Sequence, residues 1–215
     1  GVVNVFPVTP ELTLFLPFEV ALVGTALWVF TMINCVNFMD GSNGLALGSV
    51  GVALLALAAI SLAEGAPSGA AISLCGAGAM LGFLVWNFPN GKLFAGDAGA
   101  LFGGALGAFA SMIVIARADI SPFVPPILFF PLLADALLTL FWRWRAGRPL
   151  LVAHAEHHYQ LGIRGGLSHA RVAVIYWLAT VACGVLGFFV SHEPDPAAEW
   201  IALGALSLLA VTCSS

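Results

Sequence analysis

The segment Asn34-Cys35-Val36-Asn37-Phe38-Met39-Asp40-Gly41-Ser42-Asn43-Gly44-Leu45 separates two long apolar runs, at 18–33 and 45–63. It gathers three asparagines, one aspartate and two glycines, residues that a lipid environment disfavours. A polar turn between two spans, with the glycines as helix breakers, is one interpretation of this segment. Carboxylate and amide oxygens at a membrane surface also suit a cation or a polar headgroup. The segment alone supports both interpretations equally.

The composition places the chain among α-helical membrane proteins. Of its 215 residues, 60% are hydrophobic and 8% are charged, whereas about 25% of residues are charged in a typical soluble protein. Several apolar runs approach the roughly 20 residues of a helical span: 18–33, 45–63, 69–88, 98–116, 122–141, 170–190 and the shorter 199–213. We therefore predict an all-α, polytopic transmembrane helical bundle of about seven spans, with residues 1–215 forming a single integral membrane domain. The first 17 residues carry three prolines and are expected to lie outside the membrane or at its surface.

The distribution of basic residues predicts the orientation of the bundle. If successive runs cross the bilayer, the polar loops 34–43, 89–97 and 142–169 fall on one side. That side, with its edge at Arg171, holds six of the seven Lys and Arg residues, and the other side holds only Arg117. The positive-inside rule then places the three loops in the cytoplasm. Each loop carries chemically capable side chains, so a shared site is predicted.

The second of these loops carries Gly91-Lys92-Leu93-Phe94-Ala95-Gly96-Asp97-Ala98-Gly99-Ala100. Mg²⁺ commonly takes one or two protein carboxylates and completes its shell with water and phosphate oxygens, so Asp97 is a candidate ligand. Lys92 is a cation that can meet phosphate. The alternative is that Asp97 caps a helix beginning at Ala98. Small residues in that helix are expected to pack against a neighbouring helix: Gly99, Gly103 and Gly107.

The third loop contains His154-Ala155-Glu156-His157-His158-Tyr159-Gln160 among several arginines. His154 and His158 could share a helical face, but a zinc site would need a third ligand. The arginine density favours an anionic ligand, with His and Arg as donors to phosphate, over a solvated loop that only sets topology. Just before this loop, Asp135 lies inside an apolar run and is a functional candidate by default. Structural pairing, for example with Arg143, is an equally supported alternative.

Three motifs resemble those of the polyprenyl-phosphate N-acetylhexosamine-1-phosphate transferases, which are integral membrane enzymes of the glycosyltransferase family 4 type. The segment 34–46 resembles their signature N-x-x-N-x-x-D-G-x-D-G-L-A. The segment 92–99 is similar to their K-x-F-x-G-D-x-G loop, and 154–160 is similar to their final cytoplasmic His motif. Asp135, followed by Thr139 and Arg143, also fits the span that precedes that motif. The three motifs occur in the right order and cover most of the chain.

The resemblance implies a multi-pass enzyme of the bacterial inner (cytoplasmic) membrane whose active site faces the cytoplasm. Such an enzyme transfers N-acetylhexosamine-1-phosphate from a UDP-sugar to a polyprenyl (undecaprenyl) phosphate and releases UMP, which starts cell-wall or lipopolysaccharide synthesis. The implied partners are a UDP-N-acetylhexosamine donor, a polyprenyl phosphate acceptor and the membrane, without nucleic acid, and a homodimer is left open. The implied cofactor is Mg²⁺, with Mn²⁺ as an alternative ion.

The resemblance also implies roles for individual residues. Asp97 would be the metal ligand, and Asp40 would lie in the same cleft and assist the metal or the attacking phosphate. Asn37 and Asn87 would hydrogen-bond the nucleotide, while Lys92 and the His group would neutralise the diphosphate. The complete set of expected substrate-binding residues is Asn34, Asn37, Asn43, Asn87, Lys92, Phe94, His154, His157 and His158.

The sequence departs from the family pattern at three points. Asn43 stands where the family usually has a second Asp, Ala100 replaces a usual Ser, and no adjacent Asp-Asp pair occurs. We expect the chain to be the C-terminal part of a longer transferase, inactive alone although the full-length protein is active. An ion-coupled transporter using Asp40, Asp97 and Asp135, or a non-catalytic membrane scaffold, are the alternatives. Asp97→Asn would abolish Mg²⁺-dependent transfer in the enzyme, flux in the transporter and neither in the scaffold.

Overall fold

A computed structural model describes residues 2–150, 152 and 155–214, which form a helical bundle with one β-hairpin. The elements in chain order are β1 (Val5–Thr9), β2 (Leu12–Phe15), α1 (Phe18–Phe38), α2 (Leu45–Ala63), α3 (Pro67–Asn87), α4 (Gly96–Ala118), α5 (Val124–Leu128), α6 (Phe130–Arg145), α7 (His158–Arg164), α8 (His169–Val190) and α9 (Ala197–Ser214). Within the described residues, six helices are long and apolar enough to cross a membrane: α1, α2, α3, α4, α8 and α9. The predicted polytopic helical membrane bundle is confirmed.

The count of six, where about seven spans were expected, follows from a break in the fifth apolar run. Proline has no backbone N–H and is tolerated only in the first turn of a helix. Pro125 and Pro126 stand in the first turn of α5 and Pro131 in that of α6, and the chain interrupts its helical path at Phe129 between them. The resulting α6 has 16 residues, which is shorter than a full span.

Helix α2 forms the centre of the bundle and packs against α3, α8 and α4. Its most apolar window is 72% buried inside the protein, whereas the corresponding window of α9 is 6% buried. A helix that is apolar around its whole circumference is expected in such a central position. The outer helices present their large apolar side chains outward, as a lipid-facing surface requires.

Close packing of α4 against its neighbours depends on small residues. The predicted packing role of Gly103 and Gly107 is confirmed, because an added methyl group would meet Leu47 at the first and Met32 and Phe129 at the second. At Gly104 an added Cβ atom would meet backbone, because it would lie 2.6 Å from the Cα atom of Ile33 in α1. At Gly99 it would meet only the side chain of Ala95, four residues earlier in the chain, so the packing role predicted for Gly99 against another helix is wrong.

The segment before α1, expected to lie outside the membrane, forms an antiparallel hairpin in which Val5 pairs with Phe15. The indole N–H of Trp200 in α9 donates to the carbonyl of Val8 at 2.8 Å, which ties the hairpin to the bundle. Helix α1 follows directly and has 21 residues, or about 30 Å at 1.5 Å per residue. The hairpin is therefore far from the polar segment that follows α1.

Candidate active site

Three loops that are distant in the sequence line one cavity of about 370 Å³. They are the turn between α1 and α2, the connection between α3 and α4, and the start of α7. Six of the residues proposed from the sequence line the cavity: Asn37, Asp40, Asn43, Asn87, Phe94 and Asp97. The space is half open, and polar and apolar groups share its walls, so it can admit a charged ligand from the surface.

Asp40 and Asp97 are the two carboxylates of the cavity. Helix α1 ends at Phe38, and Asp40 follows in a turn whose N–H donates to the carbonyl of Asn37 at 3.2 Å. Burial and, to a lesser extent, the charge of Asp97 together raise the pKa of Asp40 from 3.8 to about 6. The two carboxylates are therefore close enough to interact although they come from separate loops.

Asp97 does not cap its helix. Helix α4 begins at Gly96, its N-cap residue is Ala95, and no side chain caps the first turn. The interpretation of Asp97 as the cap of a helix beginning at Ala98 is therefore wrong. Its side chain instead lies in the first turn, where a negative charge is favourable, and is exposed to solvent. The carboxylate remains open to a ligand in the cavity.

The donor set fits a hard divalent cation. Mg²⁺ is commonly held by one or two carboxylates together with water and phosphate oxygens, and a cation between Asp40 and Asp97 would offset their repulsion. Among residues 2–150, 152 and 155–214, no group of three or more His, Cys, Asp or Glu side chains is arranged to hold a metal. A cation here would therefore rely on water or substrate oxygens for most of its shell.

Two asparagines of the cavity hold the surrounding loops together. Asn87 accepts a hydrogen bond from the N–H of Gly44 at 2.5 Å and donates to the carbonyl of Leu93 at 2.7 Å. Asn43 donates to the carbonyl of Pro89 at 3.1 Å. The connection between α3 and α4 is thereby fixed against the start of α2. The resemblance implied a contact between Asn87 and a nucleotide. Asn87 would have to make that contact in addition to these two internal hydrogen bonds.

Two of the other expected residues of these loops, Asn34 and Lys92, do not line the cavity. Asn34 donates to the carbonyl of Phe30 at 2.7 Å within α1, and it does not line the cavity. Lys92 is exposed on the connection between α3 and α4. Phe94 does line the cavity and is 71% exposed, so its ring stands at the rim.

The histidine loop, of which the structure describes residues 155–160, is anchored by Asp135. Asp135 lies in α6 and is 5% exposed. Its carboxylate accepts hydrogen bonds from the backbone N–H of His158 at 2.8 Å, from that of Tyr159 at 3.1 Å, and from the hydroxyl of Tyr176 at 2.5 Å. The suggested pairing of Asp135 with Arg143 is wrong. Asp135 lies eight residues before Arg143 in the same helix, about 12 Å along its axis.

Arg143 is paired with the histidine loop instead. It forms a 2.6 Å ion pair with Glu156 and donates to the carbonyl of Pro149 at 2.6 Å. Arg148 binds the other carboxylate oxygen of Glu156 at 2.7 Å. These arginines therefore fold the loop back onto the end of α6.

His157 and His158, the histidines of this loop that the structure describes, contact Asp135 and do not line the cavity. Helix α7 begins at His158, and residues 155–157 are not helical. The suggestion that His154 and His158 share a helical face involves His154, which lies outside the described residues. A hydrogen bond to Asp135 raises the pKa of His158. His157 is buried, with its ring stacked on those of Phe38 and Tyr159.

Among the described residues of this loop, Tyr159 reaches the cavity, and the sequence-based site did not include it. Its ring is 2% exposed, and its hydroxyl donates to the carbonyl of Phe38 at 3.2 Å. Burial, together with the charge of Asp135, raises the pKa of Tyr159 to about 12, so it is a neutral donor at physiological pH. The sequence feature that could have identified Tyr159 as a site residue was its position within the His motif.

The chain resembles known proteins along most of its length. A family model described as glycosyl transferase family 4 matches residues 2–115. The decaprenyl-phosphate N-acetylglucosaminephosphotransferase of Mycobacterium tuberculosis is 34% identical over 84% of this chain and 50% of the relative. The phospho-N-acetylmuramoyl-pentapeptide-transferases of Gluconobacter oxydans and Bacillus pumilus are 32% and 31% identical, over 76% and 73% of the chain. The alignments cover 50% and 47% of those relatives, so the chain spans about half the length of the curated relatives it matches.

Proposed function

The chain belongs to glycosyl transferase family 4, and on that premise we propose that the protein transfers N-acetylhexosamine-1-phosphate from a UDP-sugar to a polyprenyl phosphate, releasing UMP. One relative is named as an N-acetylglucosaminephosphotransferase with decaprenyl phosphate, and others are named as phospho-N-acetylmuramoyl-pentapeptide-transferases. The proposed product would start the assembly of a cell-wall or surface polysaccharide.

The observation that carries the proposal is the meeting of Asp40 and Asp97 in one cavity. Phosphoryl transfer is catalysed almost entirely by positioning and by neutralising charge. Two coupled carboxylates at a membrane-protein surface are suited to hold a divalent cation against a diphosphate. Neighbouring amides, such as that of Asn37, can hydrogen-bond the nucleotide.

The proposed reaction is a displacement at phosphorus. An oxygen of the lipid phosphate attacks the phosphorus of the sugar-1-phosphate group, and the bond from that phosphorus to the oxygen of UMP breaks. UMP leaves with the electron pair of that bond, and the sugar becomes linked to the lipid through a new diphosphate. Mg²⁺, when bound, would neutralise the donor diphosphate and stabilise the leaving phosphate.

The residues of the chain supply the remaining requirements. Asp97 would hold the cation, and Asp40 would assist it or orient the attacking phosphate. Lys92 would add positive charge near the donor diphosphate. His157 and His158, whose loop is fixed by Asp135, do not line the cavity and would support the same charge from behind Tyr159.

We further place the cavity on the cytoplasmic side of a bacterial inner membrane. The loops around it, with their edge at Arg171, hold six of the seven Lys and Arg residues, which supports this orientation. The resemblance leaves a homodimer open, and the mass of the purified protein in detergent would test it.

Transfer from radiolabelled UDP-N-acetylglucosamine to undecaprenyl phosphate by the full-length protein would test the function, with MgCl₂, MnCl₂ or EDTA. We expect Asp97→Asn to lower transfer by at least about 100-fold, the effect of removing one group that stabilises a transition state. The matched control is Asp119→Asn, which changes an exposed aspartate at the far end of the same helix. Asp119 has a left-handed backbone, and asparagine tolerates that conformation. Mg²⁺-dependent transfer by Asp97→Asn at the wild-type rate would refute the proposal.

A further inference from the structure

The start of helix α7 is fixed from within the bundle. Its first two backbone N–H groups, from His158 and Tyr159, both donate to the carboxylate of Asp135. The N–H groups of a first helical turn have no partner within their own helix, so a buried acceptor on another element decides where the helix begins. The hydroxyl of Tyr176 in α8 donates to the same carboxylate at 2.5 Å, which orients it from a third element.

The ring of Tyr159 extends from this anchor to the turn that carries Asp40. Its hydroxyl donates to the carbonyl of Phe38, at the end of α1, at 3.2 Å. At Gly41, the residue after Asp40, an added methyl group would overlap the hydroxyl oxygen of Tyr159. The next nearest atom, the ring carbon Cζ, would be 3.2 Å away. Because glycine has no side chain, position 41 has room for the hydroxyl oxygen of Tyr159.

We propose that the contact between Tyr159 and Gly41 forms a joint between α7 and the turn after α1. This joint sets the position of α7 relative to Asp40, and Asp135 anchors the start of α7. Tyr159 and Asp135 are accordingly positioning residues for the reaction. This inference rests on the proposed function where it concerns substrate, because the two sides of the joint carry the groups assigned to the donor diphosphate. The joint itself is a statement about geometry and can be tested without substrate.

A double-mutant cycle in the full-length protein tests the joint. Gly41→Ala should force Tyr159 and α7 away from the cavity, while Tyr159→Phe removes only the oxygen atom that an added methyl would overlap. In the double variant, the alanine side chain at position 41 should therefore fit beside the phenylalanine ring at position 159, and α7 should return to its wild-type position. Gly82→Ala is the matched control, because a methyl group at Gly82 in α3 would meet no atom within 4 Å.

Two readouts separate a positioning role from a purely structural one. We expect Gly41→Ala to raise the KM for the UDP-sugar about 10-fold or more, since small misplacements of binding groups have large effects, and to lower the thermal unfolding midpoint. The double variant should recover most of both losses. A loss of folded protein alone would lower the maximal rate and leave KM unchanged. A double variant no better than Gly41→Ala in both readouts overturns the joint.

Hydrogen exchange tests the anchor independently of activity. In Asp135→Asn, the amide has a single acceptor oxygen, and the backbone N–H groups of His158 and Tyr159 should exchange at least about 10-fold faster as the start of α7 opens. Unchanged exchange there would overturn the anchoring role.

If the wild-type protein shows no transfer, the proposed function fails, while the unfolding midpoints and the exchange rates still decide whether the joint exists.

Discussion

Asp40 should control the affinity of the cavity for divalent cations between pH 5 and pH 7. Its pKa is raised from 3.8 to about 6, first by burial and then by the charge of Asp97. A cation binds the ionised carboxylate and must displace the proton.

The expected size of the effect follows from that pKa. With a pKa of about 6, about 90% of Asp40 is ionised at pH 7 and about 10% at pH 5. The apparent affinity for Mg²⁺ should therefore fall about tenfold from pH 7 to pH 5, which is about 1.4 kcal/mol of binding free energy. Asp40→Asn should bind more weakly at both values and lose this difference.

Asp40 also makes the free energy of unfolding depend on pH, with a sign opposite to that of a carboxylate in a salt bridge. Because the folded-state pKa is raised, folded Asp40 binds more protons than unfolded Asp40 between about pH 3.8 and pH 6. The contribution of Asp40 to the free energy of unfolding therefore decreases as the pH rises through that window. Bound Mg²⁺ should oppose this loss near pH 7, by about 2.7 kcal/mol at a concentration 100 times the Kd.

Thermal unfolding of the full-length protein in detergent, with and without MgCl₂ at pH 5 and pH 7, measures both effects. The shift caused by a fixed, subsaturating MgCl₂ concentration should be clearly larger at pH 7 than at pH 5, and Asp40→Asn should remove the difference. Asp119→Asn is again the control, because Asp119 is exposed and far from the cavity. Equal shifts at both pH values in the wild-type protein would refute the assigned role of Asp40.

Two further predictions concern the framework of the cavity. Asn87→Ala should lower the free energy of unfolding by about 2–4 kcal/mol, because it leaves the buried N–H of Gly44 and one carbonyl without partners; the exposed Asn90→Ala is the control in chemical denaturation, and equal effects would contradict the assignment. Gly104→Ala should destabilise the protein by about 1–3 kcal/mol, because its methyl group would meet the backbone of α1. Gly82→Ala, which has open space around it, should be neutral or stabilising, and an equally neutral Gly104→Ala would argue against close contact between α1 and α4.

The sequence predicted the class of fold because apolar length and charge density are properties of the chain itself. It also indicated which polar loops share a side, and the structure brings Asp40 and Asp97 into one cavity. The break at Phe129 was missed because the apolar run continues through the prolines, and hydropathy does not register a lost backbone hydrogen bond.

The parts of the site that could not be predicted depend on which donors and acceptors meet in three dimensions. Asp135 was recognised as unusual, but sequence spacing suggested Arg143 as its partner, and the actual donors include Tyr176 from α8 and the backbone of α7. The internal bonds of Asn87 were likewise invisible, because an amide in a loop looks the same whether it faces a ligand or a backbone. Tyr159 was within the recognised motif, but only the fold shows that its ring reaches the cavity.

The central place of α2 has a consequence for how the protein responds to bilayers of different thickness. A helix in contact with lipid must tilt or distort its surroundings when its apolar length does not match the hydrocarbon core. Helix α2 is largely enclosed by protein, whereas few residues of α9 are buried. Changes in lipid chain length should therefore be absorbed by the peripheral helices, and the amino end of α2, which adjoins Asp40, should keep its place.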